Sequence, residues 1–269
     1  MIKPRYYLQT EAIGCSSSIG LNTVPIMQDK SGKGSARCRI VNEWIHPGKN
    51  TLDLFLSWPS GKPFEKGTAS VSATLFIADP QSPSPMPGTV VVSAVYPLPA
   101  VAGIVPPEAY PMRLTIPFAV ENIPQTQLWE AAEPIAEVTP AHVTRMIEIA
   151  NQLSAAIAEG KSDEAFSLVG KRYNDEEVAQ YLQPGDLRPV LRKQYSFIAS
   201  WPNVSYIPLK PQDATVKQFA DGRVLLLERV WHADQPSGGT DAVQLTSDLH
   251  RLSLPLYFAQ FDKRLEIIR

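Results

Sequence analysis

Short alternating runs open the chain. "RYYLQTEAIG", "SARCRIVNEWI", "TLDLFLSW", "GTASVSATLFIA", "GTVVVSAVY" and "MRLTIPFAV" are each β-branched or alternate apolar with polar residues, and clusters of Gly, Pro, Asn and Ser separate them. That period-two pattern predicts an antiparallel β-sandwich over residues 1–122. The best-marked piece is "VNEWIHPGKNTLDLFLSW" (41–58), where Pro47-Gly48 supplies a turn that Asn50 closes. It reads as a β-hairpin, with Leu52, Leu54 and Leu56 facing one side and Asp53 and Phe55 the other. "GCSSSIG" (14–20) reads as a polar strand.

The period then changes. "ENIPQTQLWEAAEPIAEVTP" (121–140) carries a linker, residues 123–138, in which Trp129 either pins the two parts together or marks an interface; pinning is the preferred reading. Thr139-Pro140 is a helix start, a capping side chain followed by proline in the first turn. Val143, Ile147, Ala150, Leu153 and Ile157 mark one helical face and Gly160 ends it. Ser162 is expected to cap a second helix, "DEAFSLVGKRY", and Asn174 or Asp175 a third, "EEVAQYLQ", which stops at Pro184-Gly185. "LRPVLRKQYSFIAS" predicts a further helix leading to Trp201-Pro202. Strands are expected in "NVSYIPLK", "ATVKQFA", "RVLLLERVWHA" and "DLHRLSLPLYFAQ", the last turning at 261–264 into "LEIIR". Helices followed by an antiparallel sheet over residues 139–269 make the chain α+β.

Composition narrows the function classes. The net charge is −2, with 10 Lys+Arg and 11 Asp+Glu up to Val138 and 15 and 16 beyond it. Neither part carries the basic excess of a nucleic-acid binder, nor the acidity of a polyanion mimic. "MIKPRYYLQTEAIGC" lacks an apolar signal core and no run of 18 apolar residues occurs, so a cytoplasmic chain with no membrane association is expected. In that compartment Cys15 and Cys38 are expected as free, buried thiols. Seventeen of the 25 prolines precede Val138 and cluster in 79–88 and 96–111. These stretches read as semi-rigid surface loops, serving either as sheet connections or as a binding relief.

Motifs that carry chemistry are lacking. "DKSGKGSA" misses the upstream glycine and the following Ser/Thr of a phosphate loop, and "GCSSSIG" misses the spacing of a nucleophile elbow. His46, His142, His232 and His250 stand too far apart for a metal site, so neither metal nor cofactor is expected. His250 alternates onto one face with Leu252, Leu254, Leu256 and Phe258, with Asp248 two residues away. Inside an apolar cavity this pair would be capable of acid–base work, with Tyr173 and Tyr195 as hydroxyl donors. The preferred reading places both groups at a sheet end, paired or in water. The acidic run in "YNDEEVAQ" (173–180) reads as a helix N-terminus.

Three resemblances rest on these residues. The Pro47-Gly48-x-Asn50 hairpin resembles that of jelly-roll and galactose-binding-like sandwiches. The helices-then-sheet order and the ending "LPLYFAQFDKRLEIIR" resemble the NTF2-like, cystatin-related α+β cone. As a whole, around Val41–Trp58 and Leu254–Arg269, the chain resembles bacterial immunity proteins that neutralise type VI secretion effectors of the nuclease class. That resemblance implies no catalysis and stoichiometric capture of a cognate protein toxin. Tyr96, Tyr110 and Met112, on or beside the Pro-rich loops, are the expected apolar anchors. The alternatives are a small-molecule enzyme or ligand binder using the C-terminal cavity, and a carbohydrate-binding module on the first part; self-association stays open.

Overall fold

A computed structural model of the chain describes residues 4–29, 32, 34–57, 69–78, 87–96, 112–121, 123, 129–230 and 240–269. The chain divides into two compact units, Met1–Gln125 and Thr126–Arg269. Together they are α+β: the described residues of the first unit form sheets and a short 3-10 turn, and those of the second form helices plus sheet.

The first unit contains β1 (Tyr6–Ile13), β2 (Ser16–Leu21), β3 (Val24–Asp29), β4 (Ser35–Ile40), β5 (Gly48–Ser57), β6 (Ser70–Ala78), β7 (Pro87–Tyr96) and β8 (Met112–Val120). They form two four-stranded antiparallel sheets, ordered β4-β1-β6-β7 and β3-β2-β5-β8. Leu8, Leu75, Ile19, Leu52, Leu54 and Leu56 are buried, and Thr10 of β1 donates to the Met27 Sδ of β3 at 2.9 Å, joining one sheet to the other. The leucines of β5 face inward as their alternation predicts.

The hairpin expected at 41–58 is not one. β4 ends at Ile40 and pairs with β1, whereas β5 pairs with β2 and β8 in the other sheet. Between them Asn42–Trp44 form a buried 3-10 turn, and the chain crosses from sheet to sheet. Asn42 explains the crossing. Its Oδ1 accepts the Tyr6 N–H at 2.7 Å and its Nδ2 donates to the Pro4 carbonyl at 3.0 Å, so the residue ties this turn back to the start of β1. The proline of β3 argues against a strand, and β3 is missed by pattern alone. Pro25 is tolerated because β3 is an edge strand and Pro25 lies where the register shifts beside Gly20.

The second unit contains α1 (Pro140–Ala158), α2 (Ser162–Ala179) and α3 (Leu187–Ala199), then β9 (Ser205–Tyr206), β10 (Ala214–Phe219), β11 (Val224–Arg229), β12 (Val243–Thr246), β13 (Arg251–Leu254), β14 (Leu256–Phe261) and β15 (Arg264–Ile267). The strands form two antiparallel sheets, β10-β11-β14-β15 and β13-β12-β9. Pro255 divides the expected last strand into β13 and β14, which pair with different partners, β12 and β11. β14 turns through Asp262-Lys263, both with positive φ, into β15. Thr139 caps α1, accepting the His142 N–H at 3.4 Å while the His142 Nδ1 accepts the Thr139 N–H at 3.2 Å. The buried face of α1 includes Ile147, Ala150, Leu153 and Ile157, as the period predicts.

One expectation is corrected here. α2 runs without a break through Asn174-Asp175, so one helix stands where two are expected. Asp175 is not a cap: it is buried and accepts from the Arg269 guanidinium at 2.5 Å, an ion pair that fastens the residues after β15 to the helix. The buried Glu177 carboxylate then accepts the Gly185 and Leu187 N–H groups, each at 2.8 Å, and so serves the start of α3. Part of the expected linker, 123–138, is hydrogen-bonded to the strands of the second unit. Glu133 bridges to Gln260 by backbone at 2.9 Å, and Ile135 donates to the Gly222 carbonyl at 3.0 Å while its own carbonyl accepts from Gln218 at 2.8 Å.

Gly222 is the tight point of that anchor. Its φ is +83° and an added Cβ would lie 2.4 Å from the Ile135 carbonyl oxygen. Gly185 has a φ of +93° but open space around it. Gly222→Ala is expected to lose about 2–4 kcal/mol, left-handed strain plus backbone overlap, and Gly185→Ala about 1–2 kcal/mol, strain alone. Denaturant unfolding of both variants checks the difference; equal losses would mean that the segment through Ile135 is not held against Gly222.

Candidate functional site

In the first unit the polar side chains converge where β5 begins. Asn22, at positive φ between β2 and β3, donates from Nδ2 to the Trp44 carbonyl and to Asn50 Oδ1, both at 2.9 Å, and its Oδ1 accepts the Thr51 N–H at 2.9 Å. Buried Asn50 accepts the His46 N–H at 3.1 Å and donates to the His46 and Gly48 carbonyls at 2.8 and 3.1 Å. Beside it, Asp53 accepts the Thr23 N–H, the Thr51 hydroxyl and the Thr115 hydroxyl at 2.9, 2.9 and 2.7 Å, with the Arg113 guanidinium 3.9 Å away. Every acceptor of Asp53 is directed at the sheet's own backbone and hydroxyls. The cluster is a brace for the crossing, and the Pro47-Gly48-x-Asn50 signal belongs to that brace.

The second unit's interior is packed. Met146, Ala150, Leu153 and Ile157 from α1 meet Leu225, Leu227, Leu256 and Phe258 from the sheet, with Val169 of α2 and Leu191 and Ile198 of α3 in the same cluster. Tyr195 is buried, and burial, then the neighbouring Tyr173 hydroxyl, hold its hydroxyl pKa well above the ordinary value. Asn151 reaches from α1 to both backbone groups of Leu209, donating at 3.0 Å and accepting at 2.8 Å. These polar groups, like those of the sandwich, bind the chain to itself.

His250 and Asp248 do not line that interior. β13 starts only at Arg251, and 247–250 form an exposed turn in which Ser247 Oγ accepts the His250 N–H at 2.9 Å and the Leu249 N–H at 3.3 Å. Asp248 accepts from Asn203 at 2.8 Å, and the His250 ring lies 5.0 Å from that of Trp201. The pair is brought to one turn, yet each member has a different partner. Both stand at a sheet end, the preferred reading, and not on the inner face that alternation alone assigns, because 248–250 precede the strand.

The other predicted residues are scattered. Tyr96, at the end of β7, is only 6% exposed, and Met112, at the start of β8, is half-buried. Tyr110 and most of 79–88 and 96–111 lie outside the described residues, as does His232. His46 sits at the sandwich crossing and His142 at the α1 cap. Among the described residues no group of three or more His, Cys, Asp or Glu side chains is placed to hold a metal ion, and no helix is long and apolar enough to cross a membrane. An open groove of about 540 Å³ at the α1–α2 turn is lined by Lys161, Asp163, Glu164 and Arg192. Its charges answer one another: Asp163 takes Arg192 at 2.6 Å and Arg188 at 3.1 Å, which lowers its pKa, and Lys161 holds Glu159 at 2.8 Å.

Pattern reading overlooked the outer face of α3. Its buried stripe is Leu191, Tyr195 and Ile198, which leaves Val190 and Phe197 pointing to solvent, Phe197 at 62% exposure. The signal was available: these two apolar residues fall off the helix's inward stripe. Phe197 meets Trp201 edge-on at 6.2 Å, and Leu249 stands out of the adjoining turn at 78% exposure. The chain matches no protein-family model, no curated protein and no solved structure.

Both cysteines are free; Cys15 is buried but Cys38, on the edge strand β4, is exposed, correcting the expectation of two buried thiols. Burial, and then the Asp29 carboxylate, push the Cys15 thiol up to about 11 from 9.0. A raised folded pKa means that the neutral thiol stabilises the fold below pH 9.0 and that this contribution fades as pH rises towards about 11. Denaturant unfolding of the wild type is therefore expected to weaken across that window relative to Cys15→Ala, and a thiol reagent at pH about 8 to label Cys38 well before Cys15. For the 247–250 turn, Asp248→Asn and His250→Ala should each change stability by less than about 0.5 kcal/mol. Ser247→Ala, which removes the oxygen serving two N–H groups, should cost about 1 kcal/mol in the same unfolding assay.

Proposed function

We propose that the chain is a non-catalytic immunity protein, acting in the cytoplasm of the producing cell, that neutralises a cognate secreted toxin of the nuclease class by stoichiometric binding. The observation that carries this reading is where the polar and apolar groups are committed. Tyr195, Asn151, Glu177, Asn50 and Asp53 are engaged with the chain's own groups, while large apolar side chains such as Phe55, Val190, Phe197 and Leu249 are turned outward. Groups locked in this way are poorly suited to moving a proton on a substrate, and outward apolar groups suit recognition of a partner.

A packed protein complex of ordinary size buries about 1,600 Å² in total, which two units of this size have the surface to supply. With a net charge of −2, the affinity for a toxin would come from shape and local charge. Affinity capture with the full chain, followed by expression of the captured protein alone and together with the chain, tests the reading. The expected result is a partner that arrests growth alone, is silenced by co-expression and forms a one-to-one complex by light scattering. A captured partner without toxicity, or turnover of a metabolite by the purified chain that one buried polar substitution abolishes, would overturn it.

A further inference from the structure

Three outward-turned apolar groups of the second unit, Val190, Phe197 and Leu249, fall on α3 and on the turn that meets its far end. Val190, Lys193 and Phe197 stand at i, i+3 and i+7 on α3, so they form a stripe about 10 Å long at 1.5 Å per residue. Trp201 continues it, its ring meeting Phe197 at 6.2 Å and His250 at 5.0 Å, and Leu249 closes it from the neighbouring turn. The Trp201 Nε1 is buried and has no hydrogen-bond partner among the described residues, so the indole is held by its ring contacts and by packing against the core. An aromatic pair presented on a rigid helix loses little conformational freedom on binding, which is the character of an interface anchor.

Charge says what would cover the stripe. α3, "LRPVLRKQYSFIA", carries Arg188, Arg192 and Lys193 and no acidic residue. Asp163 of α2 pairs with both arginines and offsets one of their two charges, while Asp186, before α3, accepts the Gln183 N–H and Asp248, in the 247–250 turn, accepts the Asn203 amide. Lys193 is exposed, central to the stripe and in no ion pair among the described residues, so the face is apolar with a positive centre. A lipid surface is held by a broad cluster of cations around an apolar face; here, among the described residues, Lys193 is the cation of the stripe outside any ion pair, and Asp163 offsets one of the two charges of Arg188 and Arg192. A protein segment with one or two carboxylates beside an apolar anchor matches it better.

Resting on the reading of the chain as a protein-binding protein, we infer that Val190, Lys193, Phe197, Trp201 and Leu249 form the docking surface for an acidic, apolar-anchored segment of the partner. Phage-displayed random 16-residue peptides selected on the immobilised full chain supply the probe. Selected peptides are expected to carry Asp or Glu next to Leu, Phe or Trp, and to bind the Lys193→Glu and Phe197→Ser chains at least about tenfold more weakly than the wild type. Both substitutions are at exposed positions, and Lys193→Ala and Phe197→Leu are second variants that keep the contrast if either chain fails to fold. Peptides without acidic enrichment, or ones that bind all chains alike, would overturn the assignment. So would binding to phosphatidylserine vesicles in place of peptides, or a self-association that Phe197→Ser abolishes, since these give the surface to a membrane or to a second copy. If a captured toxin binds Lys193→Glu and Phe197→Ser chains undiminished, this surface assignment fails and the immunity reading stands; if no toxin exists but the peptides behave as expected, the reverse holds.

Discussion

Buried backbone groups at the places where the chain leaves a sheet or starts a helix must find partners, and this protein supplies them from side-chain amides and carboxylates. Asn42 and Asn50 do so at the sandwich crossing, Asn151 at Leu209, Gln218 at Ile135 and Glu177 at the start of α3. An unsatisfied buried N–H or C=O costs about 1–3 kcal/mol, so each of these residues matters far more to the fold than its polarity suggests. Remote parts of the sequence are thereby stitched together without a ladder of strand hydrogen bonds. The stitches also settle where the edges of the cores lie, since each one lets irregular backbone be buried.

What the sequence makes legible follows from range. α1 is readable because its cap, its proline and its apolar period all lie within twenty residues of one another, and the inward leucines of β5 obey a period of two. The break expected in α2 fails because Asn174-Asp175 is a good local cap signal, while the competing interaction, Asp175 with Arg269, lies 94 residues away. β12 is four residues long, too short to show a period, and exists through its pairing with β13 and β9. The supposed hairpin misleads for the same reason. Its turn chemistry is genuine, yet the strands on either side of it are claimed by different sheets.

The candidate site is less legible than the fold, and again for a physical reason. Alternation assigns faces only while a strand lasts, and His250 stands one residue before β13 begins. Its neighbour Trp201 is 49 positions away and reaches it from beyond the end of α3, a contact no local pattern encodes. The outward stripe of α3, by contrast, is a local feature hidden by a stronger one. The inward residues of the same helix satisfy the period so well that Val190 and Phe197 pass as ordinary surface.

Rigidity links these two levels. Phe197 can act as a fixed anchor only if α3 itself is fixed, and α3 is held at its start by Glu177, on its inner face by Leu191, Tyr195 and Ile198, and on its flank by Asp163 through Arg188 and Arg192. The flank pairs are exposed and would contribute little to stability by themselves. Their effect on recognition is different in kind. By holding both arginines at the flank they leave Lys193, in no ion pair among the described residues, as the cation within the stripe, so a partner would meet a placed positive charge between apolar groups, which favours selectivity over general attraction to anions.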